Sequence, residues 1–225
     1  MTNASLHVNK LSAAKRQIRA AIRMFFRPED ELAVHTVAAA AYGLLKDIKK
    51  ARGMSEAADA HLTSIFYVVR DYHRGILPSH MTSDLDFMNE VRRLADVLSP
   101  ITADSKLSEV RVTIGPAVER QYWNDANKAA NFLKHADRDT DQALCLDAIN
   151  NKLLLAKCCC AYHDVAPDDL GNEGFVFQAF ITAGNESYKL GNSSFDALVV
   201  SMRRVPPEHH PQLCHKIIEE MNPAE

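Results

Sequence analysis

Apolar residues recur along most of this chain at three- and four-residue steps, the spacing of one face of an α-helix. Leu11, Ala14, Ile18, Ile22 and Phe25 predict a first helix that stops at Pro28. Val34, Val37, Ala41, Leu44, Leu45 and Ile48 predict a second, ending near Arg52 and Gly53. A third begins around Ser55 and carries Leu62, Ile65, Phe66 and Val69. Ser83 is the expected N-cap of a fourth, which closes before Ser99 and Pro100. Residues 101–115 fit no single period, and 109–114 are open to an extended reading. Pro116 has the look of a first-turn proline, opening a long helix to about His135. Another helix is expected from about Asp141 to His163. After Pro167 the pattern shortens into pieces at 175–183, 194–204 and 211–221. The pattern as a whole predicts an all-α protein, an antiparallel helical bundle over residues 1–165 with a smaller helical C-terminal unit over 166–225. The loop 166–174 is the expected boundary.

One stretch carries more than a folding signal. Residues 126–141, ANKAANFLKHADRDTD, end a helix yet carry Asn127 and Asn131, a residue type that forms helices poorly. At about 100° per residue, Arg120, Asn124, Asn127, Lys128, Asn131, Lys134, His135 and Arg138 share an arc of about 120°. Val118, Tyr122, Ala129, Phe132, Leu133 and Ala136 lie opposite. The polar arc holds no acid. Amides, cations and an imidazole supply hydrogen-bond donors, positive charge and a titratable group, which is what a phosphate or other anion needs. The competing reading is a solvated face, or an Asn/His network that satisfies neighbouring loops.

The first helix shows a second asymmetry. Arg16, Arg19, Arg23 and Arg27 fall within about 80° of one another, opposite the apolar stripe. They form a basic band suited to phosphates or to an acidic partner. The 225 residues carry a formal net charge of −3, which by itself favours no class of partner. No Walker loop, GxGxxG or aromatic base-stacking motif is present.

The five cysteines are an odd number and three are consecutive, Cys158 to Cys160, which suits a reducing cytoplasmic setting better than a disulfide framework. The N-terminus has no apolar core of a secretory signal, and no apolar run approaches the ~18–20 residues of a membrane span. Cys159 and Cys160 with His163, and His210 with Cys214, have helical spacings that two half-sites for zinc would use. The apolar setting argues for packing instead, and neither a metal nor a cofactor is expected. His35 and Thr36 sit beside an alanine-rich face, where a core histidine with a partner is the simpler reading.

Three segments together, KRQIRAAIRMFF, AVHTVAAAAYGLLKDIKKARG and AANFLKHADRD, resemble a family of uncharacterised bacterial all-helical proteins that pair an early HT…AA helix with a later NFxKHADRD element. The resemblance covers about residues 11–53 and 120–163. It implies a helical fold and marks His35, Thr36, Asn131, Lys134, His135, Asp137, Arg138 and Asp139; it implies no activity. A bundle with Asn-x-x-Lys-His near the end of a long helix is also similar to the HEPN superfamily, many of whose members are metal-independent ribonucleases. That likeness implies His135 as general acid or base, with Lys134 and Asn131 holding the scissile phosphate. The superfamily's active helix carries Arg four to six residues before His. Here the positions five and six before His135 are Ala130 and Ala129.

The expected function is therefore binding of an anion or phosphate, with RNA or a nucleotide as partner. The catalytic candidates are His135, Asn131 and Lys134, and the ligand-binding candidates are Asn127, Arg138, His35, Arg23 and Arg27. The alternatives are a HEPN-like ribonuclease and a non-catalytic interaction bundle. A homodimer is left open, and no membrane partner is expected.

Overall fold

The computed structural model describes residues 7–27, 29–54, 57–98, 100–106, 116–135, 141, 143–146, 149–166, 168–185 and 188–222. Among them every regular element is helical. In chain order these are α1 (Lys10–Phe26), α2 (Glu31–Ala51), α3 (Ala57–Arg74), the single turn α4 (Ser79–Thr82), α5 (Leu85–Val97), α6 (Pro116–Lys134), α7 (Asn151–Val165), α8 (Gly171–Ala183), α9 (Ser194–Arg203) and α10 (His210–Met221). The all-α expectation holds. No described helix is long and apolar enough to cross a membrane.

The chain falls into two compact units, one of residues 1–53 with 126–225, the other of residues 54–125. The expected boundary at 165/166 is not where it divides. The reason is α1, against which both α8 and α10 pack, so the C-terminal helices share a core with the first hairpin. Residues 109–114, which the sequence leaves open to an extended reading, lie outside the described residues.

The larger unit is built on α1 and α2. Asn9 caps α1 by accepting from Ser12 N–H at 2.8 Å, and Asp30 caps α2 by accepting from Leu32 and Ala33 N–H. α2 follows α1 after a short connection and packs along it as an antiparallel partner. Past the end of α2, Gly53 takes a positive φ of 65°, which favours glycine. Ala14, Ile18, Ala21, Ile22 and Phe26 form the buried stripe of α1, and Val34, Ala38, Ala41 and Leu45 that of α2. Alanines at the contact let helix axes approach closely. α7 is the other main neighbour of α2, and buried Cys158 on α7 donates its thiol to the Ala38 carbonyl at 3.4 Å. At one end Phe25, Phe26, Phe177 and Phe180 stack edge to face, the arrangement that ring quadrupoles prefer.

The smaller unit has its own core, in which Phe66 and Val69 of α3 meet Ala95 of α5 and Ile101. Asp84, not Ser83, caps α5, accepting from Phe87 N–H at 3.0 Å. Both residue types cap helices well, so only the backbone geometry chooses between neighbours.

One buried acid ties α8 to α1. Glu173 is 1% exposed, and its carboxylate accepts from Arg19 Nε at 2.8 Å and from Arg23 Nη1. Burial pushes its carboxyl up, the largest single effect. The Arg19 hydrogen bond, its own backbone N–H and Arg23 together outweigh that and hold it below the usual carboxylate range. A depressed carboxyl contributes stability above its unfolded value and loses it as pH falls through the folded one. Glu173→Gln is therefore expected to cost about 1–3 kcal/mol at neutral pH, the lower part of that range because both guanidiniums reach solvent. Its deficit against wild type should shrink as pH falls below about 4.3 and wild-type Glu173 becomes the neutral isostere of glutamine. Urea unfolding of both proteins at neutral and acid pH measures this; a deficit independent of pH would show that the charge is not what stabilises.

Candidate functional site

α6 ends with Lys134, and the His135 N–H closes on the Asn131 carbonyl at 3.0 Å. Of the stripe residues in the larger unit, Lys128, Asn131 and Lys134 are exposed, while Asn127 and His135 are half-buried and engaged by neighbours. Arg120 and Asn124 belong to the smaller unit and are also exposed. Arg138, with Asp137, Asp139 and Thr140, lies outside the described residues.

His35 is the buried member of the candidate set. It sits in the second turn of α2, 8% exposed, with Nδ1 3.1 Å from Asn151 Oδ1. The Asn151 amide nitrogen donates to the Glu31 carbonyl at 2.9 Å, which fixes which way round the amide lies. Its oxygen must accept from His35, so the Nδ1 of His35 carries the proton and Nε2 holds the lone pair of the neutral ring. Burial lowers the His35 pKa most, the Asn151 bond raises it, and the Lys134 ammonium lowers it further; the net position is below 6.5. The ring is neutral at pH 7. That effect makes Lys134, at the end of α6, a charge that the His35 ring on α2 senses.

Asn151 is the member that sequence reasoning misses. The helix expected from about Asp141 begins ten residues later, where Asn150 caps α7 by accepting from Leu153 N–H at 2.9 Å. The signal was present, since two asparagines directly before KLLLAK form an N-cap pattern. Asn150 then serves α7 while Asn151 turns back to α2.

The arginine band is engaged by acids. Arg19 and Arg23 clasp Glu173, and Arg27 donates to Glu219 Oε1 at 3.1 Å and, through Nε, to His215 Nε2 at 3.4 Å. Arg23, Arg27 and His215 border a concavity of about 250 Å³ together with Glu29 and Glu219. An anion entering it would have to displace one carboxylate and share Arg23 with another. Only Arg16, exposed on the same helix, has no acid partner among the described ion pairs.

The cysteines are free thiols. Burial pushes the thiols of Cys158, Cys159 and Cys214 up, the last two to about 12, so they stay protonated. His210 Nε2 lies 2.8 Å from the carbonyls of both Met202 and Val205. Among the described residues no three His, Cys, Asp or Glu side chains come together as metal ligands. Comparison of the chain with family models, curated proteins and solved structures finds no match.

Stability separates the two kinds of residue here. Asn131→Ala should change folding stability by no more than about 0.5 kcal/mol, as for an exposed position. His35→Ala and Asn151→Ala should each cost about 1–3 kcal/mol, because each strands a buried polar partner. The pH sign follows from the lowered pKa. Folded His35 resists protonation more than unfolded His35, so its contribution is complete above about 6.5 and declines below it. A fall in unfolding free energy between about pH 7 and 5.5 that is reduced in His35→Gln is the expected result.

Proposed function

We propose that this chain binds anions, with nucleic-acid or nucleotide phosphate as the ligand class, at the C-terminal end of α6 beside His35. The observation that carries the reading is the action of the Lys134 charge on a neutral, oriented His35. The Lys134 charge opposes protonation of His35 until an anion enters. The arriving negative charge relieves that opposition and favours protonation of His35 on Nε2. Both groups then donate to the ligand, and binding takes up a proton. Asn131, one turn before His135 and exposed, adds a donor at the rim. The exposure of Lys128, Asn131 and Lys134 favours a polymer lying across the helix face over a nucleotide enclosed on several sides. The Arg23 and Arg27 guanidiniums play a lesser part, since their charge is answered by Glu173 and Glu219.

Fluorescence anisotropy with a single-stranded RNA oligonucleotide and with inorganic polyphosphate tests this across about 50–200 mM salt. Lys134→Ala is expected to reduce the log–log salt slope by about one. Affinity should rise as pH falls through about 6.5, and His35→Gln should remove that rise. Binding that ignores salt, or that is unchanged in Lys134→Ala, would remove this site from consideration. A competing reading, an interaction surface for another protein, is favoured by the same exposure and predicts no affinity for either polyanion.

A further inference from the structure

A second cavity, of about 370 Å³, opens between α7 and α8 and shares no lining residue with the proposed anion site. That volume is within the range of small-molecule sites, roughly 300–1,000 Å³. Its body is apolar, with Ala156 of α7, Leu170, and Phe175, Phe177 and Ile181 of α8. Sequence accounts for this. α8, GNEGFVFQAFITA, is apolar around its whole circumference, so one face serves the core and another must find cover elsewhere. Phe175 and Ile181 are accordingly only half-covered by the protein.

The rim is one-sided in charge. Asp168 and Asp169 border the cavity, and no lysine or arginine does. Asp168 is held below the usual carboxylate range by the Lys15 ammonium at 2.5 Å and by the Tyr162 hydroxyl at 3.0 Å. The Lys15 ammonium also stands 6.0 Å from the Tyr162 ring centre. The chain thus seats one of its own ammonium groups in this corner, against a carboxylate and an aromatic face. Asp169 accepts from Gly171 N–H through Oδ1 at 2.8 Å. A carboxylate has two accepting oxygens, so Asp169 can hold that turn and still accept from a ligand. Tyr162 is pushed up to about 12 by burial and by Asp168, and Cys159 to about 12 by burial, so neither adds negative charge near neutral pH.

We infer that the α7–α8 cavity is a binding site for a small amphipathic cation, an amine with an aromatic or branched apolar body. The apolar body lies along Leu170, Phe175 and Ile181, and the ammonium lies at the rim against Asp169. A neutral ligand of the same shape gains only the apolar contacts. An acid of the same shape meets the Asp169 carboxylate.

Tryptamine, 3-methylindole and indole-3-propionate form a series with one ring and three charges. Calorimetry or ligand-observed NMR on the full chain is expected to rank them amine, neutral, acid, with the amine about tenfold tighter than the neutral ring. Asp169→Asn keeps an oxygen to accept from Gly171 N–H and removes the charge. It should erase the preference for the amine while leaving 3-methylindole unchanged. Cys160→Phe adds bulk at an exposed position that borders the cavity, and should weaken all three ligands without altering the unfolding midpoint. No saturable binding of tryptamine at millimolar concentration, equal binding of the three ligands, or an amine preference that survives Asp169→Asn would each overturn the assignment.

Discussion

Glu173 is the one carboxylate of the described chain that is almost wholly out of water while clasped by two arginines. Taking such a group out of water costs several kcal/mol unless the compensation is close and well aimed. Arg19 and Arg23 supply it from α1, one turn apart, the spacing at which two side chains converge on one point. That geometry fixes the rotation of α1 about its axis and the height of α8 beside it. The position of Glu173 in the first turn of α8 helps, since a negative charge there meets the positive end of the helix dipole. With α8 placed, Phe177 and Phe180 are delivered to Phe25 and Phe26, and α10 closes on the same helix through Arg27 and Glu219. The basic band thus acts first as a clamp. A row of arginines reads the same in sequence whether its anions are internal or foreign.

A similar logic places the polar site. His35 is on a face of α2 otherwise lined by Val34, Ala38, Ala41 and Leu45, where a charged ring would be costly. Asn151 makes the neutral form comfortable, and the Glu31 carbonyl keeps Asn151 from turning over. The result is a histidine with a fixed tautomer, held by backbone geometry at two helix starts. Lys134, from the end of α6, brings a positive charge to it. Both readings of the site rest on this arrangement.

Much of the fold was legible and its reasons are local. The stripes of α1 and α2 are long, regular and bounded by Asn9, Asp30 and Gly53, so propensity, pattern and capping agree. The start of α7 was not legible at the same level, because 141–150 carries acids, amides and scattered apolar residues that mimic a first turn. The division into units was also hidden. It depends on α1 choosing α8 and α10 as neighbours, a long-range pairing of charge and ring that no window of sequence contains. Within the candidate site, His35 and Lys134 could be named from the sequence, but the action of one on the other, and the part of Asn151, are products of tertiary packing.

The consequence for function turns on which charges are paired among the described residues. Arg19, Arg23 and Arg27 face Glu173 and Glu219, Lys15 faces Asp168, and Lys49 faces Asp164 at 2.6 Å. Each of these pairs joins one helix of the larger unit to another helix or to the loop beside it. A pair of that kind fixes a position in the fold and offers an external anion only what is left after its acid partner is satisfied. Lys134 is different in kind, since the charge-sensitive group it acts upon is an imidazole, which repels it when protonated. An anion beside both groups offsets that repulsion and favours the protonated ring. That asymmetry, more than the number of basic residues, is why the end of α6 carries the functional reading and the arginine band carries the architecture.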